Sequence, residues 1–185
     1  NQDEGKPLEC DAVIDFSHPD NLGWACDYVQ THCCIYICGT TGLNEEQKQL
    51  LRQTARSCPV FYSANFSYGI AMLEKVLEQV TPLLKEDFDM EVVETHHDQK
   101  QDAPSGTAVM LVEAMDPDHA FKRVYGREGF VGKRGKEIGI HAIRGGTVAG
   151  EHTVLYLGQD ESLKITHTAS SRMIFVNGAW KALAF

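Results

Sequence analysis

Short apolar runs alternate with longer polar, helix-like stretches through the first part of the chain. Asp11-Ala-Val-Ile-Asp-Phe16 is a strand candidate, and Ser17-His-Pro-Asp follows it with Pro19 suited to a helix first turn. Asn21 to His32 has helical character, and Cys34-Ile-Tyr-Ile-Cys38 reads as a second, buried strand ended by Gly39-Thr-Thr-Gly42. The Gln- and Glu-rich stretch from Asn44 to Ser57 predicts a polar helix, and Pro59-Val-Phe-Tyr62 a third strand. Strands alternating with helices at this spacing predict a parallel α/β sheet. Such sheets bind ligands at the carboxyl ends of their strands. Phe16-Ser17, Gly39 to Gly42 and Ser63 to Phe66 all fall at such ends.

The pattern changes from Gly69. A long helix from Ile70 to about Lys85 leads to a strand over Phe88 to Thr95, a His-rich loop and another helix. Asp116 to Gly135 is Gly-rich, charged and reads as irregular. Strands then dominate at Ile138 to Ile143, Thr153 to Leu157 and Leu163 to Thr168, as expected of an α+β domain with a mixed sheet. From Arg172 to Phe185 the pattern returns to helix, expected to pack back on the first domain. No internal repeat or low-complexity tract interrupts the chain.

A chain of 185 residues has room for one domain or two small ones. Its net charge of −9 and lack of a basic run argue against nucleic acid as the main partner. No apolar stretch approaches the roughly 20 residues that span a bilayer, which predicts a soluble protein with no membrane partner. The six cysteines include no CxxC pair, so reduced structural thiols are expected rather than disulfides or metal ligands. That usage favours a cytoplasmic setting. The chain opens on Asn1 with no signal pattern before the first strand-like run. Trp24 and Trp180 are expected in a core or an interface.

The densest chemistry lies in Glu94-Thr-His-His-Asp-Gln-Lys-Gln-Asp-Ala-Pro-Ser-Gly-Thr-Ala108. His titrates nearest neutral pH, and Lys is a compact cation whose pKa moves readily on burial. Ser105-Gly106-Thr107 opens onto the apolar run Ala108 to Val112, which reads as a helix start and thus an anion site. As a metal site the His pair lacks a convincing third ligand. An acid/base and anion site accounts for the mixture better. Arg144-Gly-Gly-Thr-Val-Ala-Gly-Glu-His152 is either a bulged hairpin or a loop bringing Arg144 or His152 near an anion. Arg172, after Ala169-Ser-Ser, is suited to anchoring the last helix.

The Glu94 to Ala108 stretch closely resembles the signature of the 4-hydroxy-tetrahydrodipicolinate reductases, pyridine-nucleotide enzymes of lysine biosynthesis. Further matches run in order: Val13-Ile-Asp-Phe-Ser17, Gly39-Thr-Thr-Gly42, Ala64-Asn-Phe-Ser67, Tyr125-Gly-Arg-Glu-Gly129, Glu137-Ile-Gly-Ile-His141, Arg144-Gly-Gly146, Gly150-Glu-His152 and Ala169-Ser-Ser-Arg172. The resemblance implies an NADPH- or NADH-dependent, two-domain enzyme acting on a small cyclic dicarboxylate, usually as a homotetramer. It implies an incomplete Rossmann-like nucleotide-binding domain over residues 1–66, completed by 172–185, and an α+β substrate domain over 67–171. Phe66 and Arg172 match the crossings between them. His96 falls on the family's proposed acid/base residue and Lys100 on its proton donor. His97, Ser105, Gly106 and Thr107 match the groups that hold the dicarboxylate, with Thr41 beside them. Phe16, Ser17, Gly39, Thr40, Thr41, Ser63, Ala64, Asn65 and Phe66 match the surroundings of the nicotinamide.

The family's opening Gly-rich turn for the pyrophosphate does not occur in these residues, the end at Phe185 falls before its usual tail, and the link Asp116-Pro-Asp-His-Ala is shorter than expected. A catalytically silent homologue retained as an interaction protein is the alternative expectation. The intact His96, His97, Lys100 and Thr107 weigh against it. A metal-dependent hydrolase is the weakest option, for want of ligands.

Overall fold

The computed structural model describes residues 10–184. Two compact units emerge, one from residues up to Phe66 together with those from Phe175, the other from Ser67–Ile174.

In the first unit, β1 (Ala12–Asp15), β2 (Ile35–Cys38) and β3 (Val60–Tyr62) form a parallel sheet in that order. α1 (Leu22–His32) and α2 (Glu45–Thr54) make the crossovers. α1 buries Leu22, Ala25, Cys26 and Val29, a stripe at helical spacing. This stripe packs with Cys34, Tyr36, Cys38, Leu43, Leu51 and Cys58. Four of the six cysteines, Cys26, Cys34, Cys38 and Cys58, are buried as free thiols. The polar helix α2 is started by a reciprocal cap between Asn44 and Gln47. Ile37 packs with Phe66 and with Phe175, Ala179 and Leu183 of α5 (Met173–Leu183). Gly178 permits this close approach, since a Cβ there would fall 1.7 Å from the Phe66 carbonyl oxygen.

Of the two settings expected for the tryptophans, core or interface, the structure rules out the core. Trp24 is 68% and Trp180 59% exposed. Trp24 lies off the stripe that α1 turns to its core and stacks on Tyr28 with ring centroids 5.5 Å apart.

The second unit is built on a five-stranded mixed sheet in the order β5-β6-β4-β7-β8. These are β4 (Asp89–His96), β5 (Lys122–Tyr125), β6 (Glu137–Arg144), β7 (Gly150–Leu157) and β8 (Ser162–Ala169). β4 is central, parallel to β6 and antiparallel to β7. Met90, Val92, Glu94 and His96 alternate onto one buried face of it. Ile70, Leu73 and Leu77 of α3 (Tyr68–Leu84) and Ala108, Leu111 and Val112 of α4 (Gly106–Met115) pack on the apolar part of that face. The other face is only partly covered within the unit, leaving Ile143 and Leu157 exposed.

Two sequence readings are corrected here. The stretch read as irregular contains β5, which pairs parallel with β6 at the sheet edge. Lys and Arg occupy half of this short strand and mask its period-two signal. Asp116 sets it in place by accepting the Ala120 and Phe121 N–H groups, while pairing with Arg123. β7 also begins at Gly150 rather than Thr153, so His152 lies within the ladder, opposite Glu94. Among the described residues no helix is long and apolar enough to cross a membrane.

Candidate active site

Glu94 is the hub of the site. It is 0% exposed and sits on β4 between the apolar core and the strand end. A buried carboxylate needs donors on both oxygens, and it has them. Arg144, on β6, meets both oxygens at 2.8 Å. The Ser105 backbone N–H donates to Oε1 at 3.0 Å, and His96 Nδ1 lies 2.5 Å from Oε2. Burial alone would push the Glu94 carboxyl up; the donors from Arg144, His96 and Ser105 outweigh that and hold it below its ordinary range.

His96 is drawn the other way. Its burial lowers the imidazole pKa and outweighs the pull of Glu94, with Lys100 and Arg144 pushing in the same direction as burial. At neutral pH the group is therefore a cationic Arg144, an ionised Glu94 and a neutral His96. Because the carboxylate only accepts, the His96 proton sits on Nδ1, and Nε2 is the free ring atom. A Cβ at Gly150 would lie 3.1 Å from that Nε2, so the glycine keeps the space beside it open.

His97 does not join His96 on the same surface. Neighbours in an extended chain point to opposite sides. The His97 N–H donates to the Val148 carbonyl, and its Nε2 accepts from Arg172 Nη2 at 2.8 Å. Lys100 follows in a turn and pairs with Asp102 at 2.8 Å. Arg144 also donates to the Asp102 carbonyl, tying the lysine loop to the Glu94 hub. Arg144 does face an anion, as one sequence reading allowed, but that anion is Glu94.

Ser105 stands at the start of α4. It is 2% exposed, its hydroxyl caps α4 by accepting the Ala108 N–H at 3.1 Å, and His152 Nε2 lies 3.0 Å away. Gly106 is exposed at the first helical position, where a Cβ would meet nothing within 4 Å, and Thr107 follows it half-buried. His152 is buried against the edge of the His96 ring, 5.1 Å between centroids, and burial lowers its pKa to about 4. Its Nδ1 finds no hydrogen-bond partner among the described residues. No group of three or more His, Cys, Asp or Glu there is placed to hold a metal ion.

In the first unit, Asp15 organises the strand ends. It accepts the Ser17 N–H and the Tyr36 hydroxyl, both at 2.8 Å. Phe16 lies over Gly39, where a Cβ would meet its ring at 2.2 Å, and edges onto Phe66 at 5.2 Å. Thr40 is buried beside the Asp15 carboxylate, while Thr41 and Ala64 are exposed. The Ser63 hydroxyl closes a turn by donating to the Asn65 carbonyl at 2.6 Å.

The sequence reading did not give Glu94 a role, although the alternation of β4 puts it on the same face as His96. Asp15 was likewise not singled out, and His152, which one reading put on a loop near an anion, lies within β7 beside His96. A cavity of about 490 Å³ lined by residues such as Lys85, Phe88 and Lys136 carries none of the candidate site residues.

Residues 2–66 match the family model described as "Dihydrodipicolinate reductase, N-terminus", and residues 69–185 match "Dihydrodipicolinate reductase, C-terminus". The chain is 41% identical to the 4-hydroxy-tetrahydrodipicolinate reductase of Clostridium tetani, over 96% of this chain and 71% of that protein. It is 44% identical to the enzyme of the same name from Pseudomonas fluorescens, over 94% and 67%. A dipicolinate-bound dihydrodipicolinate reductase from Paenisporosarcina sp. TG-14 shares the fold, with a TM-score of 0.70 at 24% identity over 94% of this chain and 68% of that one. The chain belongs to the dihydrodipicolinate reductase family, oxidoreductases of lysine and diaminopimelate biosynthesis with a Rossmann-like first domain.

Proposed function

We propose that this protein reduces a cyclic, unsaturated dicarboxylate of the dihydrodipicolinate type, using NADPH or NADH, as a step of lysine biosynthesis in the cytoplasm. The observation that carries the reading is the His96 ring, fixed through Nδ1 and open at Nε2, at the base of the Lys100 loop. The roles follow from what each group can do. The exposed first turn of α4, at Gly106 and Thr107, offers backbone dipole to a substrate carboxylate without adding a titratable group. His97, facing away from His96 and beside Arg172, supplies a second polar contact. His96 exchanges a proton at Nε2, and Lys100 Nζ delivers one to the centre left electron-rich by reduction.

The strand ends of the first unit fit the flat end of a dinucleotide. Gly39 leaves room for the half-exposed Phe16 ring that lies over it, and the ring gives the strand ends a flat apolar surface. Phe16, Ser17, Gly39, Thr40, Thr41 and the turn from Ser63 to Phe66 are assigned to it. The bound reduced nicotinamide supplies the hydride.

The assembly is read as a homotetramer joined through the partly covered sheet face that carries Ile143 and Leu157. The catalytic assignment is tested by His96→Gln and Lys100→Met. Each is expected to lower kcat about a hundredfold or more with the fold unchanged by circular dichroism. Normal turnover in both variants overturns it.

A further inference from the structure

Two histidine–glutamate pairs flank β4 on opposite faces of the sheet, and they are built differently. On the partly covered face, His141 Nε2 meets Glu91 at 2.7 Å within a network that includes Arg127 and Arg134. On the site face the contact is through Nδ1, and every other partner of the carboxylate belongs to the frame of the site. Arg144 joins it from β6, and the Ser105 N–H joins it from the cap of α4. Both oxygens of Glu94 are thus held before His96 is considered, so the carboxylate has no rotational freedom to lend.

We propose that Glu94, clamped by Arg144 and the Ser105 N–H, is a positioning residue for the reduction, because it keeps the His96 proton on Nδ1 and leaves Nε2 to face the reacting molecule. This inference rests on the reading of His96 as the acid/base group. An unclamped imidazole has two tautomers of similar energy and rotates about its side-chain bonds. A fixed acceptor on one nitrogen selects one tautomer and one ring orientation. The charged and titratable groups around the ring are Glu94 on its own strand, Arg144 on β6, His152 on β7, and Lys100 with Asp102 on the following loop. Among the described residues, Glu94 is the hydrogen-bond partner of the His96 ring. The lack of a side chain at Gly150 keeps the opposite nitrogen uncovered.

The proposal makes an unusual demand of Glu94→Gln. Arg144 has only donors, so it claims the new amide oxygen and turns the amide N–H groups toward His96. Nδ1 must then accept, and the proton moves to Nε2. The Ser105 N–H, which also only donates, holds the amide oxygen on the same side, so Glu94→Gln/Arg144→Met is expected to keep the Nε2–H tautomer.

The experiment is long-range 15N–1H correlation NMR of the ring nitrogens in the protein, with His96 assigned by difference against His96→Gln, alongside steady-state kinetics. Expected are the Nδ1–H tautomer in the parent and Nε2–H both in Glu94→Gln and in the double variant. The kcat of Glu94→Gln is expected to fall roughly tenfold or more with KM changed less than about threefold, as when an orienting carboxylate is lost from other catalytic histidines. An Nε2–H tautomer in the parent overturns the proposal, and it decides the matter even if Glu94→Gln does not fold. An unchanged tautomer in a folded Glu94→Gln overturns it as well. Normal turnover in His96→Gln is a different result, since it removes the acid/base reading on which the proposal stands.

Discussion

Arg144 grips Glu94 with both guanidinium nitrogens, each 2.8 Å from a different carboxylate oxygen. The pair joins β6 to β4 beneath the loop that carries Lys100. Because Glu94 is wholly buried, Arg144→Ala strands a carboxylate with only His96 and one backbone N–H. Breaking a buried pair from one side costs about 3–5 kcal/mol. Urea denaturation is expected to show a loss of that size at pH 7.5. A loss below about 1 kcal/mol would mean that water replaces the guanidinium and that the clamp is weak.

Stability should fall on mild acidification, beginning above the range in which carboxylates are protonated. Burial depresses the His152 pKa to about 4 from an ordinary 6.5. Between those values the unfolded chain binds the proton and the folded chain does not, so stability is lost as pH falls from about 6.5 toward 4. His96 and His167 are lowered too, and act with the same sign. The His152 contribution is on the order of 3 kcal/mol. Denaturation midpoints at pH 7.5, 5.5 and 4.5 should trace this slope, and His152→Gln should flatten part of it. A slope unchanged by that variant would place the linkage elsewhere.

Two glycines of the first unit separate packing from binding. In Gly178→Ala the new methyl meets the Phe66 carbonyl, which is backbone and cannot move aside. This variant is expected to lose roughly 1–3 kcal/mol, readable as a lower melting temperature. In Gly39→Ala the methyl meets the half-exposed Phe16 ring, which can swing outward. Stability should then change by less than about 1 kcal/mol, since surface rearrangements are inexpensive. Nucleotide affinity, measured by fluorescence titration with NADPH and NADH, should drop several-fold. Unchanged affinity for both would remove Gly39 and Phe16 from the cofactor assignment.

The exposed apolar side chains of the sheet face give a test of assembly. Ile143→Glu combined with Leu157→Glu places charge where copies are expected to meet. Light scattering should show smaller particles than the parent, with the secondary structure intact. Equal masses for parent and variant would count against that face as the contact.

The order of elements was largely legible because each is local. α1 follows from apolar positions at helical spacing, β2 from an uninterrupted apolar run, and α4 from Ser105-Gly106-Thr107 before an apolar segment. β5 was hidden because an edge strand needs little apolar content and borrows its order from Asp116 and β6. Whether Trp24 belongs to the core was not legible, because the face that α1 turns inward is decided by Leu22, Ala25, Cys26 and Val29.

His96, Lys100 and the start of α4 stood out by residue type and spacing alone, since their chemistry is written within one short segment. Which nitrogen of His96 is free, and why, was not written there. That depends on Arg144 and Ser105, which lie 50 and 11 residues from Glu94 and reach it only through strand pairing and the α4 cap. The sequence by itself determined the family, the two-part architecture and the segment densest in candidate chemistry, because residue types and local periodicity are one-dimensional properties. Tertiary structure alone decided the partners of Glu94, the burial of Ser105 and the open side of His96, because hydrogen bonds and desolvation act between groups that the chain keeps apart until it folds.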